Sequence, residues 1–180
     1  KVYSSAGRWL MHRAFVDWPV TLQGEPTSLS DQPVVSFIIG HRGVERLPHL
    51  LTTLRSIAGQ RGTTIECIVV EQAARPEIER QLPSWVRYHH TAVQTGVEYC
   101  RSATFNAGAR IARGEVLILH DNDMVIPNQY AAENAARATE GWCFVDAKRF
   151  NFYLREEDTR RVFEGGQMAT DRAATVVQNL

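Results

Sequence analysis

Apolar and polar positions along the chain predict strands that alternate with helices. Five short runs rich in apolar residues predict strands at residues 34–39, 65–70, 85–89, 115–119 and 142–147. Apolar residues at helical spacing, or Ala-rich segments, predict helices at residues 47–57, 77–81, 101–113 and 130–139. Gly114 follows the third of these and is predicted to end it. Alternation of this kind is typical of an α/β fold with a Rossmann-like, mostly parallel sheet flanked by helices.

The pattern also divides the chain into three parts. Residues 1–32 are predicted to form an N-terminal arm. Its apolar anchors on the domain would be Trp9, Leu10, Phe15 and Trp18. Residues 33–150 contain the alternating elements and are predicted to form the main domain. Residues 151–180 are polar and are predicted to form a tail.

Polar residues follow three of the predicted strands. They are Gly40, His41, Arg42 and Gly43 after the first strand, Glu71 after the second, and Asp121, Asn122 and Asp123 after the fourth. The carboxyl ends of parallel strands meet at one edge of a sheet, where open α/β folds bind their ligands. The sequence therefore predicts a binding site at this edge.

Asp121 and Asp123 are the most informative of these residues. Paired carboxylates at a sheet edge suit Mg²⁺ or Mn²⁺ carrying a diphosphate. The alternative is that both are turn or helix-cap residues, because Pro127 and a predicted helix follow. The residues alone leave both interpretations open.

Most of the neighbouring candidates also have two interpretations. Gly40 and Gly43 permit either close approach to a ligand or a tight turn, and Glu71 is either an acceptor for a base or ribose or a solvated loop carboxylate. Arg101 at a helix start either faces phosphate or is a surface charge. Asn106 is a mediocre helix former, which favours a role beyond helix formation.

Composition narrows the classes of function. The 180 residues carry 20 basic and 20 acidic side chains, so the charge does not indicate a nucleic-acid partner. No apolar stretch approaches the length of a membrane span. The three cysteines have no metal-type spacing, and Cys67 and Cys143 are predicted to be reduced core residues. A cytoplasmic protein is expected.

These motifs, taken in order, resemble family-two glycosyltransferases of the GT-A fold. The resemblance covers residues 33–150. It rests on the strands that end at Gly40 and Glu71, on Arg101 with the segment from Asn106 to Arg110, and on the segment from Gly114 to Asp123. It implies an enzyme that uses Mn²⁺ or Mg²⁺ and transfers a sugar, with inversion, from a nucleotide-diphosphate sugar to a saccharide or other hydroxyl acceptor.

The resemblance also implies roles for single residues. Gly40, His41 and Arg42 would line the nucleoside pocket, and Glu71 would contact the base. Asp121 would approach the ribose or the metal. Asp123 would bind the cation that holds the diphosphate. With Arg101, Asn106 and Asn122, these residues form the predicted donor site.

The chain departs from the family pattern in three ways. Gly40, His41, Arg42 and Gly43 replace the usual Pro-Thr-Tyr-Asn, so Arg42 would stack on the base in place of an aromatic residue. Glu71 replaces the usual Asp. The family's catalytic base belongs to a later acidic motif, and after Gly166 only Asp171 is acidic. We therefore expect this chain to be the donor-binding half of a longer enzyme, with the acceptor-binding half and the base outside it.

The alternatives are a nucleotidyltransferase that makes nucleotide sugars and a non-catalytic sugar-nucleotide-binding module.

Overall fold

A four-stranded parallel sheet forms the centre of the protein. The computed structural model describes residues 4–145, 150–166, 168 and 175–178. The strands are β1 (Val35–His41), β2 (Ile65–Ala73), β3 (Arg87–Ala92) and β4 (Val116–His120). All pairs are parallel, and the strand order is β3-β2-β1-β4. The predicted α/β fold with a mostly parallel sheet is confirmed.

Five helices and a small second sheet complete the described part of the chain. The helices are α1 (Ser4–Asp17), α2 (Leu47–Ala58), α3 (Arg101–Ile111), α4 (Tyr130–Thr139) and α5 (Glu156–Phe163). Single 3-10 turns lie at Val44–Arg46 and Glu79–Gln81, and β5 (Phe150–Tyr153) pairs antiparallel with β6 (Thr175–Gln178). Within the described residues, no helix has both the length and the apolar composition needed to cross a membrane.

Helices cover both faces of the sheet. Side chains alternate between the two faces along β1, and every residue of this strand is buried. Phe37 and Ile39 belong to one apolar cluster with Leu50 and Leu54 of α2. On the opposite face, α3 packs so closely that a Cβ atom on Gly108 would lie 2.3 Å from Cγ2 of Ile38. The absence of a side chain at Gly108 therefore sets how close α3 lies to the sheet.

We expect Gly108→Val to destabilise the fold by about 2–3 kcal/mol, because the added side chain overlaps Ile38 in a filled core. Urea unfolding monitored by circular dichroism would measure the change. Gly24→Val is the matched control, since a Cβ atom there meets nothing within 4 Å, and it should change stability by less than about 0.5 kcal/mol. Equal stability of the two variants would contradict the close packing of α3.

Several predicted element ends are wrong. β1 continues through Gly40 to His41, and β2 continues through Glu71 to Ala73, so these polar residues belong to the strands instead of following them. Helix α3 ends at Ile111, before Gly114, and extended backbone at Ala112 terminates it. Gly114 has a packing role instead, since a Cβ atom there would lie 2.8 Å from the Ser36 amide nitrogen.

Some predicted core residues are exposed. Trp9 and Trp18 were expected to anchor the arm, but they are 65% and 50% exposed, while Met11 is fully buried. The predicted strand at 142–147 is wrong for residues 142–145, which form no strand, and residues 146 and 147 lie outside the described residues. Cys143 in that segment is exposed, whereas Cys67 is buried as predicted.

The segment predicted as a polar tail packs on the sheet domain. The rings of His49 in α2 and Phe163 in α5 meet edge to face with centroids 4.8 Å apart. Arg55 Nη1 donates to the Val162 carbonyl at 3.1 Å. Helix α5 is therefore attached to α2 by both apolar and polar contacts. Asp171 lies outside the described residues.

A buried carboxylate ties the sheet together at the edge where β1 and β2 begin. Glu66 accepts hydrogen bonds from the Ser36 hydroxyl and the Arg113 amide, both at 2.6 Å, and forms an ion pair with Arg87. Arg87 also donates to the Ile111 carbonyl at 3.0 Å. Burial alone would raise the pKa of Glu66, but these donors outweigh it and lower that pKa.

Candidate functional site

His41 connects the central strand to the acidic triplet Asp121-Asn122-Asp123. The register pairs Ile39 of β1 with His120 of β4, which places His41 beside Asn122. His41 is fully buried. Its Nε2–H donates to the Gly43 carbonyl at 3.0 Å, so Nδ1 is free of a proton and accepts from Asn122 Nδ2 at 3.1 Å. Burial lowers the pKa of His41, which favours this neutral form.

Asp121 accepts hydrogen bonds at both its side chain and its backbone carbonyl. Arg101, the first residue of α3, donates from Nη1 to Asp121 Oδ1 at 2.8 Å. The Arg101 guanidinium also lies 5.6 Å from the centre of the Phe105 ring. His120 Nδ1 donates to the Asp121 carbonyl at 2.6 Å. Arg101 and Asp121 were both predicted site residues, and the structure brings them into contact.

Asp123 contacts Arg46, a residue that no sequence motif indicated. Arg46 Nη2 lies 2.7 Å from Asp123 Oδ2 and 3.2 Å from Asn122 Oδ1. Arg46 is the last residue of the 3-10 turn after Gly43, whose φ of +87° confirms a tight turn there. The basic residues are scattered along the chain, so only the fold reveals which of them reaches the triplet.

Gly40 serves packing within the protein. A Cβ atom there would lie 2.2 Å from both Tyr99 Oη and Thr104 Oγ1, so these side chains fill the space beside the strand. Arg42 Nη1 donates to the Val97 carbonyl at 2.6 Å and ties the segment before α3 to the end of β1. The contacts of Gly40 and Arg42 with nucleoside stay predictions.

Glu71 is a fully buried member of β2, so its interpretation as a solvated loop carboxylate is wrong. Its carboxylate accepts hydrogen bonds from the Glu77 amide at 3.1 Å and from the Tyr88 hydroxyl. Burial and the adjacent carboxylate raise the pKa of Tyr88, which keeps that hydroxyl protonated and donating. Glu71 thus fixes the loop after β2, and its contact with a base stays a prediction.

Asn106 lies farther from the edge than the other candidates. It is exposed on α3, five residues after Arg101, which at 1.5 Å per residue is about 7.5 Å along the helix. The structure therefore groups His41, Arg101 and the acidic triplet closely and leaves Asn106 at the periphery. Tyr99 is a further residue at this edge that no sequence motif indicated.

The donor atoms at the edge suit a hard divalent cation. Asp121, Asn122 and Asp123 offer only oxygen ligands, which Mg²⁺ and Mn²⁺ prefer. Within the described residues, no three His, Cys, Asp or Glu side chains are grouped closely enough to hold a metal. The arrangement fits the kind of site in which one or two carboxylates share the ion with water and substrate phosphates.

A sequence profile described as "Glycosyl transferase family 2" matches residues 44–172, which is most of the chain. The chain belongs to glycosyl transferase family 2. This membership confirms the resemblance seen in the sequence and favours glycosyl transfer over the nucleotidyltransferase alternative. The profile match includes Arg46, Glu71, Arg101 and the acidic triplet, but it assigns no role to any of them.

One solved structure similar to this family member is a mannosyltransferase from Pyrobaculum calidifontis in complex with GDP-mannose and Mn²⁺. The identity is 16% and the TM-score is 0.42. The alignment covers 97% of this chain and 53% of the other, so the chain spans about half the length of that enzyme. No curated protein matches the chain.

Proposed function

We propose that this family-two chain is the donor-binding portion of an inverting glycosyltransferase that takes a nucleotide-diphosphate sugar. The sugar would pass to a hydroxyl of a saccharide or other acceptor. Mn²⁺ or Mg²⁺ would be held by Asp121 and Asp123.

The observation that carries the proposal is the convergence at the carboxyl edge of the sheet. His41 at the end of β1, the triplet after β4 and Arg101 at the start of α3 are linked by hydrogen bonds of 2.8–3.1 Å. Together with the 3-10 turn that ends at Arg46, these elements place two carboxylates and two guanidinium groups, those of Arg46 and Arg101, within one cluster. Such a mixture of charges suits a ligand that carries both phosphate groups and a cation.

The reaction that we propose is a direct displacement. The bond between the sugar's anomeric carbon and the diphosphate oxygen breaks, and a bond to the acceptor oxygen forms from the opposite side. The electron pair leaves with the nucleoside diphosphate. The acceptor's proton passes to a general base, for which a carboxylate is suitable, and we assign no described residue to that role.

The chain's own residues would bind and orient the donor. His41 holds Asn122 and thereby fixes the position of the triplet relative to the sheet. The positive charges of Arg101 and Arg46 would stabilise the negative charge that develops on the leaving diphosphate. A bound divalent cation would supply further Lewis-acid stabilisation of that leaving group.

Unfolding experiments with and without ligands test the proposal. We expect UDP or GDP together with Mn²⁺ to raise the free energy of unfolding, by about 2.7 kcal/mol at a nucleotide concentration of 100 times its dissociation constant. Mn²⁺ omitted, or replaced by K⁺, should remove most of the effect. Absence of stabilisation by every nucleoside diphosphate with Mn²⁺ or Mg²⁺ would exclude a donor site.

Turnover assays separate the proposed activity from its alternative. Hydrolysis or transfer of the sugar from a nucleotide-diphosphate sugar supports the proposal. Formation of a nucleotide sugar from a nucleoside triphosphate and a sugar phosphate would identify a nucleotidyltransferase and overturn it. Binding without either reaction would indicate that this portion binds the donor and that catalysis needs further residues.

A further inference from the structure

Arg46 spans two residues of the acidic triplet with a single guanidinium nitrogen. Nη2 lies 2.7 Å from Asp123 Oδ2 and 3.2 Å from Asn122 Oδ1. The turn that begins at Gly43 places the arginine at the start of α2, directly beside the loop after β4. Arg46 therefore occupies one of the carboxylate oxygens that a cation would need.

The contact between Arg46 and Asp123 is easily broken. The two side chains are 45% and 43% exposed, so water screens their attraction. Ion pairs this exposed change an equilibrium constant by at most about fivefold. A divalent cation carries twice the charge of the guanidinium and can replace it at Asp123.

A released Arg46 would have a suitable new partner in the same place. The guanidinium group carries five N–H donors in a planar fork and no acceptor, which matches the oxygens of a phosphate. A diphosphate bound to a cation on Asp123 would bring such oxygens next to Arg46. The long, exposed side chain could reach them by rotation of its outer bonds, without a change in the backbone.

We propose that Arg46 exchanges partners when the donor binds. Before the donor binds, Arg46 neutralises Asp123 and bonds to Asn122, and after binding it bonds to the donor diphosphate while the cation binds Asp123. The inference rests on the proposed function and adds a residue to it. Arg46 competes with the cation in the first state and assists the nucleotide in the second.

This exchange predicts opposite effects of one substitution on two binding constants. Arg46→Ala should bind Mn²⁺ alone up to about fivefold more tightly, because the competitor for Asp123 is gone. The same variant should bind GDP or UDP, at saturating Mn²⁺, about ten- to a hundredfold more weakly, because a charge-assisted hydrogen bond is lost. A purely structural role for Arg46 would move both constants in the same direction.

The measurements are Mn²⁺ titrations followed by electron paramagnetic resonance and nucleotide titrations followed by calorimetry. Arg160→Ala is the control, because Arg160 forms an ion pair of 2.8 Å with Glu156 in α5 that is still more exposed to solvent. We expect both constants to stay within about twofold of wild type in this control. Arg46→Lys keeps the charge but loses the fork, and we expect it to recover part of the nucleotide binding.

The outcomes separate the inference from the proposed function. If wild type binds nucleotide with Mn²⁺ but Arg46→Ala leaves both constants unchanged or shifts them in the same direction, the exchange is wrong and the donor site stands. If wild type binds no nucleoside diphosphate with Mn²⁺, the proposed function fails and the exchange fails with it. If Arg46→Ala also lowers thermal stability markedly, the exchange is tested instead with Arg46→Lys, by its binding constants for Mn²⁺ alone and for nucleotide at saturating Mn²⁺.

Discussion

Asp123→Asn is expected to remove Mn²⁺-dependent nucleotide binding while leaving the fold intact. The substitution keeps the size of the side chain and removes the charge that a cation needs. Binding should weaken by more than about a hundredfold, since even a change to an outer partner of a metal ligand costs about 10- to 100-fold. Calorimetric titration of GDP and UDP, with and without Mn²⁺, would measure the loss.

Asp17→Asn is the matched control for the loss of a carboxylate charge in Asp123→Asn. Asp17 also forms a partly exposed ion pair of 2.8 Å with an arginine, Arg13, but it lies in α1. We expect both variants to lose less than about 1 kcal/mol of stability, because partly exposed ion pairs contribute little. If Asp123→Asn retained Mn²⁺-dependent binding, Asp123 would not be a metal ligand, and the carboxylate pair would be only part of the turn.

Glu66→Ala is expected to produce the largest loss of stability, about 3 kcal/mol or more. Its carboxylate is almost completely buried and accepts hydrogen bonds from Ser36, the Arg113 amide and Arg87. Removing one partner of a buried pair leaves the other groups without compensation, which typically costs about 3–5 kcal/mol. The partial exposure of Arg87 favours the lower end of that range. Guanidinium unfolding monitored by fluorescence would measure it.

The effect of Glu66→Ala should depend on pH in a defined direction. The pKa of Glu66 is lowered from 4.5 in the folded protein, so the folded state favours the ionised form. Its contribution is therefore complete above the unfolded pKa and is lost as the pH falls through the folded value. The difference in stability between wild type and Glu66→Ala should be constant above about pH 5.5 and shrink below pH 4.5. Glu156→Ala, in an exposed pair, should show a difference below about 0.5 kcal/mol at every pH.

Apolar runs predicted the strands of the central sheet well, because these strands form where apolar side chains are buried. β1, β2 and β4 are each within three residues of the predicted bounds at either end. The errors arise where polar residues continue a strand. Glu71 and Gln72 remain in β2 because the Glu77 amide and the Cys100 amide donate to their side chains. A sequence pattern does not reveal such distant partners.

The opposite error occurs at residues 142–145. Trp142 and Phe144 gave this segment the pattern of a strand, yet they are 64% and 82% exposed. Hydrophobic residues on the surface are common, so an apolar run does not by itself establish burial. Trp9 and Trp18 were misplaced for the same reason.

The candidate site was predictable in part. Asp121, Asn122, Asp123 and Arg101 could be grouped from their positions at strand and helix ends. Arg46 could not, because its contact with Asp123 joins residues 77 positions apart and depends on the turn at Gly43. The charge of a single arginine among twenty basic residues carries no information about such a contact.

The hydrogen bond between His41 and Asn122 divides the triplet into a fixed middle and adjustable sides. Asn122 is hydrogen-bonded to a fully buried residue of the central strand, whereas Asp121 and Asp123 are paired with arginines whose side chains are 62% and 45% exposed. Structures with and without a bound nucleotide should therefore superimpose at Asn122 and differ in the side-chain rotamers on either side of it. On ligand binding, Asn122 would keep its position while the side chains of Asp121 and Asp123 reorient on either side of it.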